Sequence, residues 1–304
     1  MKKIYIKNHP PSHGAGFWIY RGYESAWKSL GYEVEFFDNL EEIRDEGCDI
    51  MTTDATANLS NIDILKKANR VYLYVQPTSF PDPWGKHPNF QSLCAQETRD
   101  ILNTQDNVFQ WTFGEVTDYH TLWNNPSTIP LAYDNLNYNK NIDNKVDYDV
   151  CFIGGVANNG FNEKISIMID HLKAFKQEYD KTGIKCGFFV GQNLSHTQEE
   201  KVISSSKVCI NIHDAYQREL GLDTNERTFK TLGLNGILVS DQVTQLSTLF
   251  PDVPTSSDPE QMVSLVKEVL SYSDDKLNKI REENIENILS NHTYLSRAKY
   301  MEKL

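Results

Sequence analysis

The run NERTFKTLGLNGILVSD, residues 225–241, decides how the chain is read. An apolar segment, VCINI at 208–212, comes before it, and a polar loop at 213–224 separates the two. Phe229, Leu232 and Gly233 share one face of a helical pattern over 226–234, suited to packing on a sheet. Asn235 and Gly236 form a helix-ending signal. Ile237, Leu238 and Val239 then read as a buried parallel strand. The order is strand, loop, helix, strand.

The start of this helix carries the chemistry. Thr224 or Asn225 can cap it by accepting an orphan N–H. A helix N-terminus suits an anion, because its free N–H groups and the macrodipole face outward together. Arg227 and Lys230 stand one turn apart, within reach of a diphosphate lodged there. Arginine offers a planar fork and lysine a mobile point charge. The plain alternative is a surface helix whose cations pair with nearby acids.

The same alternation extends in both directions. Downstream of a polar stretch at 133–147, a strand at 149–153 ends in Gly154 and Gly155, an amphipathic helix spans Phe161 to Tyr179, and a strand at 184–190 ends in Gly191. A short helix at 197–205 precedes the central unit, and helices near 258–270, 274–289 and 293–304 follow it. In the first half, strands are expected at 3–7, 33–37, 49–53, 70–75 and 108–113, with helices at 17–30, 62–68 and 115–123. Each half should be a doubly wound α/β domain. Ligands of such sheets sit at the carboxyl ends of the strands. That rule gathers Gly154, Gly155, Gly191, His213, the helix start with Asn225, Glu226, Arg227, Thr228 and Lys230, and Asp241 on one rim. Near the N-terminus, the glycine-containing loop with His13, Gly14 and Gly16 lets backbone approach a ligand, but it lacks the GxGxxG spacing of a dinucleotide site. Trp84 and His87 lie in a Pro- and aromatic-rich loop, where a sugar contact competes with plain loop packing.

The central run resembles the C-terminal signature of GT-B glycosyltransferases, in particular the CgeB-like, spore-protein-type branch. Arg227, Thr228, Phe229, Gly236 and Asp241 fit that signature, while Asn235 replaces the first of its two glycines. The tail NHTYLSRA at 291–298 resembles the closing helix of that branch, and YDVCFIG at 148–154 resembles the first strand of its donor domain. The likeness is specific from residue 148 onward. It implies two Rossmann-like domains facing across a cleft, with C-terminal helices closing back: an acceptor-side domain at 1–135, a linker at 136–147 and a nucleotide-sugar domain at 148–304. It further implies transfer of a sugar from a UDP- or GDP-type donor to a surface or coat glycan. Arg227, Lys230 and the helix N–H groups would then stabilise the leaving diphosphate in place of a metal. Related enzymes hold the ribose with a glutamate near the place of Lys230. A cation cannot accept from a hydroxyl, so Glu226 or Asp241 is expected there. His13 is the first candidate base and Asp54 the second.

Composition fits a protein of this kind. The 304 residues suffice for two domains. The net charge of −12 works against long-range attraction to nucleic acid or anionic membrane. Five scattered cysteines without a CxxC pair suggest reduced thiols and a cytoplasmic setting. No apolar run is long enough to span a membrane. Asp147-Tyr148-Asp149 spells a DxD metal motif but precedes its strand, so no metal site is expected. Two other readings stay open: a viral-type enzyme glycosylating modified DNA bases, and a non-catalytic coat or scaffold protein that keeps the fold.

Overall fold

The computed structural model describes residues 2–10, 14–82, 92–138, 147–155, 163–192 and 194–304, with no side chains described for 163–167. The described chain forms two compact units. The first comprises Met1–Pro130 with Tyr294–Leu304, and the second Leu131–Thr293.

The first unit holds one parallel sheet. Its strands are β1 (Lys3–Lys7), β2 (Glu33–Phe37), β3 (Asp49–Thr53), β4 (Arg70–Tyr74), β5 (Val108–Thr112) and the short β6 (Ser127–Thr128), in the order β2-β1-β3-β4-β5-β6. Ile4, Ile6, Ile50, Met51, Val71 and Leu73 are buried, which is why these strands read as apolar runs. Helix α1 (Ala15–Ser29) buries Tyr23 and Trp27; α2 (Ile62–Lys67) and α3 (Gln96–Leu102) complete the layers. The helix expected at 115–123 is only a 3₁₀ turn, Asp118–His120. Thr117 caps that turn, and the Trp123 indole N–H donates to the Gln76 carbonyl. These side-chain bonds tie the segment down before a longer helix can form.

The second unit holds a four-stranded parallel sheet in the order β10-β9-β7-β8. Its strands are β7 (Tyr148–Gly154), β8 (Cys186–Val190), β9 (Ser206–Asn211) and β10 (Leu238–Ser240). Connecting and covering helices are α4 (Glu163–Thr182), α5 (His196–Ser204), α6 (Ala215–Leu220), α7 (Glu226–Gly233), α8 (Thr244–Leu249), α9 (Pro259–Leu270) and α10 (Asp274–Asn291). The loop expected at 213–224 thus contains a helical turn, α6, whose start carries a capping box between Asp214 and Gln217. Helix α7 ends as expected: Asn235 takes a left-handed φ of 65°, and the Gly236 N–H closes on the Thr231 carbonyl.

The unit boundary falls at Leu131, ahead of the linker expected at 136–147. Tyr133 and Tyr138 are buried in the second unit, with the Tyr133 N–H on the His292 carbonyl and the Tyr138 hydroxyl on Glu199. The last helix, α11 (Tyr294–Met301), packs with the first unit rather than the second. Its Tyr294 ring lies against Gly22 of α1, where a Cβ would overlap it, and Arg297 donates to the Pro130 carbonyl at 2.9 Å.

Candidate functional site

In the second sheet β7 lies between β8 and β9, so the chain leaves β7 first to one side and then to the other. The crevice at the carboxyl ends of β7 and β9 is the place where such sheets bind ligands. Arg227 spans it. Its Nη1 donates to Asn211 Oδ1 at 2.7 Å, at the end of β9, and its guanidinium lies 4.9 Å from the Phe152 ring of β7. Among the described residues, Arg227 Nε and Nη2 donate to no protein group.

Beneath Arg227 is a buried polar web. The His213 Nδ1 meets Asp241 Oδ1 at 2.5 Å, and its backbone N–H donates to Asp241 Oδ2 at 2.9 Å. His213 Nε2 faces the Thr224 hydroxyl at 2.9 Å, and Thr224 pairs with Thr228 at 2.7 Å. Asn211 donates to the Thr228 hydroxyl and accepts from Asn225. Asn211, His213, Thr224, Thr228 and Asp241 are all fully buried. Burial alone would raise the Asp241 carboxyl, but the opposing His213 contacts win and hold it below its ordinary range.

The web changes how several expected residues sit. Asp241 and His213 face inward, and their polar atoms are taken up by protein partners. Asn225 occupies the N-cap position, but its amide turns to Asn211 and makes no cap bond; Thr224 is likewise turned inward. The Glu226 and Arg227 N–H groups therefore donate to no protein group among the described residues. Glu226 is half-buried and accepts no hydrogen bond among the described residues. Burial raises its carboxyl above the usual value, with Lys230 pulling the other way and Glu199 and Asp134 adding to the rise.

Lys230 is buried and paired with Glu199 of α5 at 2.8 Å, over the Tyr138 ring. Burial works against its ammonium, but Glu226 and Glu199 hold its pKa above the ordinary value. Gly154, Gly155 and Gly191 lie together at the carboxyl ends of β7 and β8, with the Gly191 N–H on the Gly154 carbonyl. Asn211, Phe152, Glu199 and Tyr138 were not singled out from sequence. An asparagine closing an otherwise apolar strand was the one available signal.

In the first unit, Gly14 is the N-cap of α1, with φ 57°, and Gly16 lies in its first turn. His13, Trp84 and His87 fall outside the described residues. Asp54 is fully buried at the carboxyl end of β3. Its Oδ2 accepts from the Ser92 hydroxyl and the Gln76 N–H, while Oδ1 has no partner among the described residues. Burial pushes this carboxyl up to about 6, against the opposing bond from Ser92. Among the described residues, no three His, Cys, Asp or Glu side chains gather to hold a metal.

Residues 158–303 match the glycosyl transferase-like family model. No curated protein matches the chain. Solved structures match along its whole length at low identity. The DNA-modifying enzyme β-glucosyltransferase is 13% identical with a TM-score of 0.57, covering 100% of this chain and 98% of its own. An α-glucosyltransferase, solved with UDP-glucose and DNA containing an abasic site, is 14% identical with a TM-score of 0.57, covering 99% and 98%. A glycosyltransferase involved in avilamycin A biosynthesis is 10% identical with a TM-score of 0.54, covering 100% and 96%. The fold is GT-B. The two parallel sheets of this GT-B chain are the two doubly wound halves read from the sequence. No described helix is long and apolar enough to cross a membrane.

Proposed function

We propose that this GT-B protein is a glycosyltransferase of the CgeB-like branch, moving a sugar from a nucleoside-diphosphate donor to a surface or coat glycan in the cytoplasm. One observation carries the reading: Arg227 sits at the β7/β9 crevice with Nε and Nη2 unused among the described residues, beside an α7 N-terminus whose first N–H groups are also unused among them. Unused donors around one point suit a diphosphate. As the sugar leaves, negative charge grows on the bridging phosphate oxygen, and donors already in place stabilise it with no metal required. Glu226 is the proposed ribose contact, because it can accept from hydroxyls and Asp241 is fully engaged. Asp54 is the proposed base; a carboxyl raised to about 6 is poised for proton transfer near neutral pH.

Binding can be tested without knowing the sugar. A nucleoside diphosphate that binds the folded state raises the melting temperature. We expect UDP or GDP to stabilise the protein and Arg227→Ala to diminish that shift while the fold persists. An undiminished shift in Arg227→Ala rules out the assigned site. Hydrolysis of a UDP- or GDP-sugar separates an enzyme from a non-catalytic scaffold. A second reading, glycosylation of modified DNA bases, draws support from the two glucosyltransferases whose structures concern DNA. The net charge of −12 weighs against it. Tight duplex binding that falls steeply with salt would favour the DNA reading.

A further inference from the structure

Gly154 closes β7 beside the Arg227 side chain. A glycine at a strand's carboxyl end is ordinarily read as room for a ligand or a turn. Here the room is already occupied. A Cβ at Gly154 would lie 2.5 Å from Arg227 Nη2 and 3.0 Å from its Cζ, and 2.7 Å from Phe152 Cζ. The φ of Gly154 is not in the left-handed region, so an alanine there is opposed by side chains and not by backbone. The guanidinium is thus held from three sides. Asn211 takes Nη1, the Phe152 ring lies 4.9 Å from the guanidinium carbon, and the bare Cα of Gly154 admits Nη2. Asn211 is itself fixed, because its amide donates to buried Thr228.

From this geometry we infer that Gly154 is a positioning residue: its missing side chain sets the pose of Arg227, and so the diphosphate affinity of the site. The inference rests on the glycosyltransferase reading above and says how its key cation is aimed. A long arginine side chain loses substantial rotamer freedom when it is fixed. Fixing it before the ligand arrives removes that cost from binding. An added methyl at position 154 meets the far end of the flexible Arg227 side chain most closely, at 2.5 Å against 2.7 Å for the Phe152 ring edge, so the guanidinium is expected to give way first while the fold is retained. The charge remains in the protein, but its free N–H groups no longer point where Asn211 had aimed them.

A double-mutant cycle on the full-length protein tests this, with UDP and GDP titrated calorimetrically. Arg227→Ala is expected to weaken binding by about tenfold or more, the loss of a charge-assisted contact. Gly154→Ala should weaken binding by a similar factor, and the double variant should bind no worse than Arg227→Ala alone. A purely structural defect at position 154 would instead multiply with the loss of Arg227. Additive losses, or unchanged affinity in Gly154→Ala, overturn the inference even where Arg227→Ala behaves as expected. Unchanged affinity in Arg227→Ala removes the underlying reading and this inference together. Thermal melts cover the case of misfolding. If Gly154→Ala unfolds, removing Arg227 should restore a cooperative melt; unfolding in both backgrounds assigns the clash to Phe152 and refutes the positioning role.

Discussion

Replacing Asp241 with asparagine probes whether the buried web supports the site. The substitution keeps the shape and removes the charge. At present Asp241 Oδ1 accepts from His213 Nδ1 at 2.5 Å and from Ser240, while Oδ2 accepts from the His213 N–H at 2.9 Å, with Arg218 Nε at 3.5 Å. An amide offers one acceptor where the carboxylate offered two. If its oxygen keeps the backbone N–H, its NH₂ faces Nδ1, and the imidazole must move its proton to Nε2. Arg218 also loses its counter-charge. Removing one member of a buried pair costs about 3–5 kcal/mol, and one retained hydrogen bond offsets about 1 kcal/mol. A net loss of about 2–4 kcal/mol follows, or about 5–15 °C in melting temperature for a unit of this size. The loss depends on pH with a definite sign. The folded Asp241 carboxyl titrates below its ordinary value of 3.8. Its stabilisation is therefore complete above the unfolded value and fades as pH falls through the lower folded one. Urea denaturation followed by near-ultraviolet circular dichroism, from pH 7 to pH 3, measures both effects. Equal stability at pH 7, or a gap that does not narrow below pH 3.8, would refute the reasoning.

Two further outcomes are expected. Asp54→Asn should stabilise the first unit above pH 6: the folded carboxyl is raised to about 6 from 3.8, so the wild type loses stability as pH rises through that window, by about 3 kcal/mol, and the variant does not. The same variant should lose sugar transfer, which comparing melts with transfer assays across pH 4–8 would check. Phe229→Ala removes a fully buried ring that packs on Phe250 and His292 at centroid distances of 5.6 and 5.8 Å, and should cost about 3–5 kcal/mol by urea denaturation.

Most strands were legible because a strand covered on both faces reads as an apolar run, as in VYLYV at 71–75 and VCINI at 208–212. Helix α7 was legible from its spacing and its Asn-Gly ending. The inner side of the site was not. Lys230 has the look of a phosphate ligand until Glu199, some thirty residues earlier in the chain, is seen beside it. Asp241 resembles a rim residue until His213 covers it. Such pairings are set by how β9, β10 and the helices pack, which local pattern does not encode. Gly154 shows the same limit, since its sequence says only that a side chain is missing and not which neighbour uses the gap. Short helices such as α6 and α8 escaped notice because each spans only six residues of mixed polarity.

The path of the chain has a consequence for how the protein matures. The first unit is discontinuous: it breaks at Pro130 and resumes only at Tyr294, whose ring meets Tyr23 and Gly22. During synthesis the second unit emerges before Tyr294 and can fold at once, while the first waits, its α1 surface uncovered, for the segment made after it. A ribosome stalled before that segment would hold out a half-finished N-terminal unit, and that unit is where chaperones would be expected to bind.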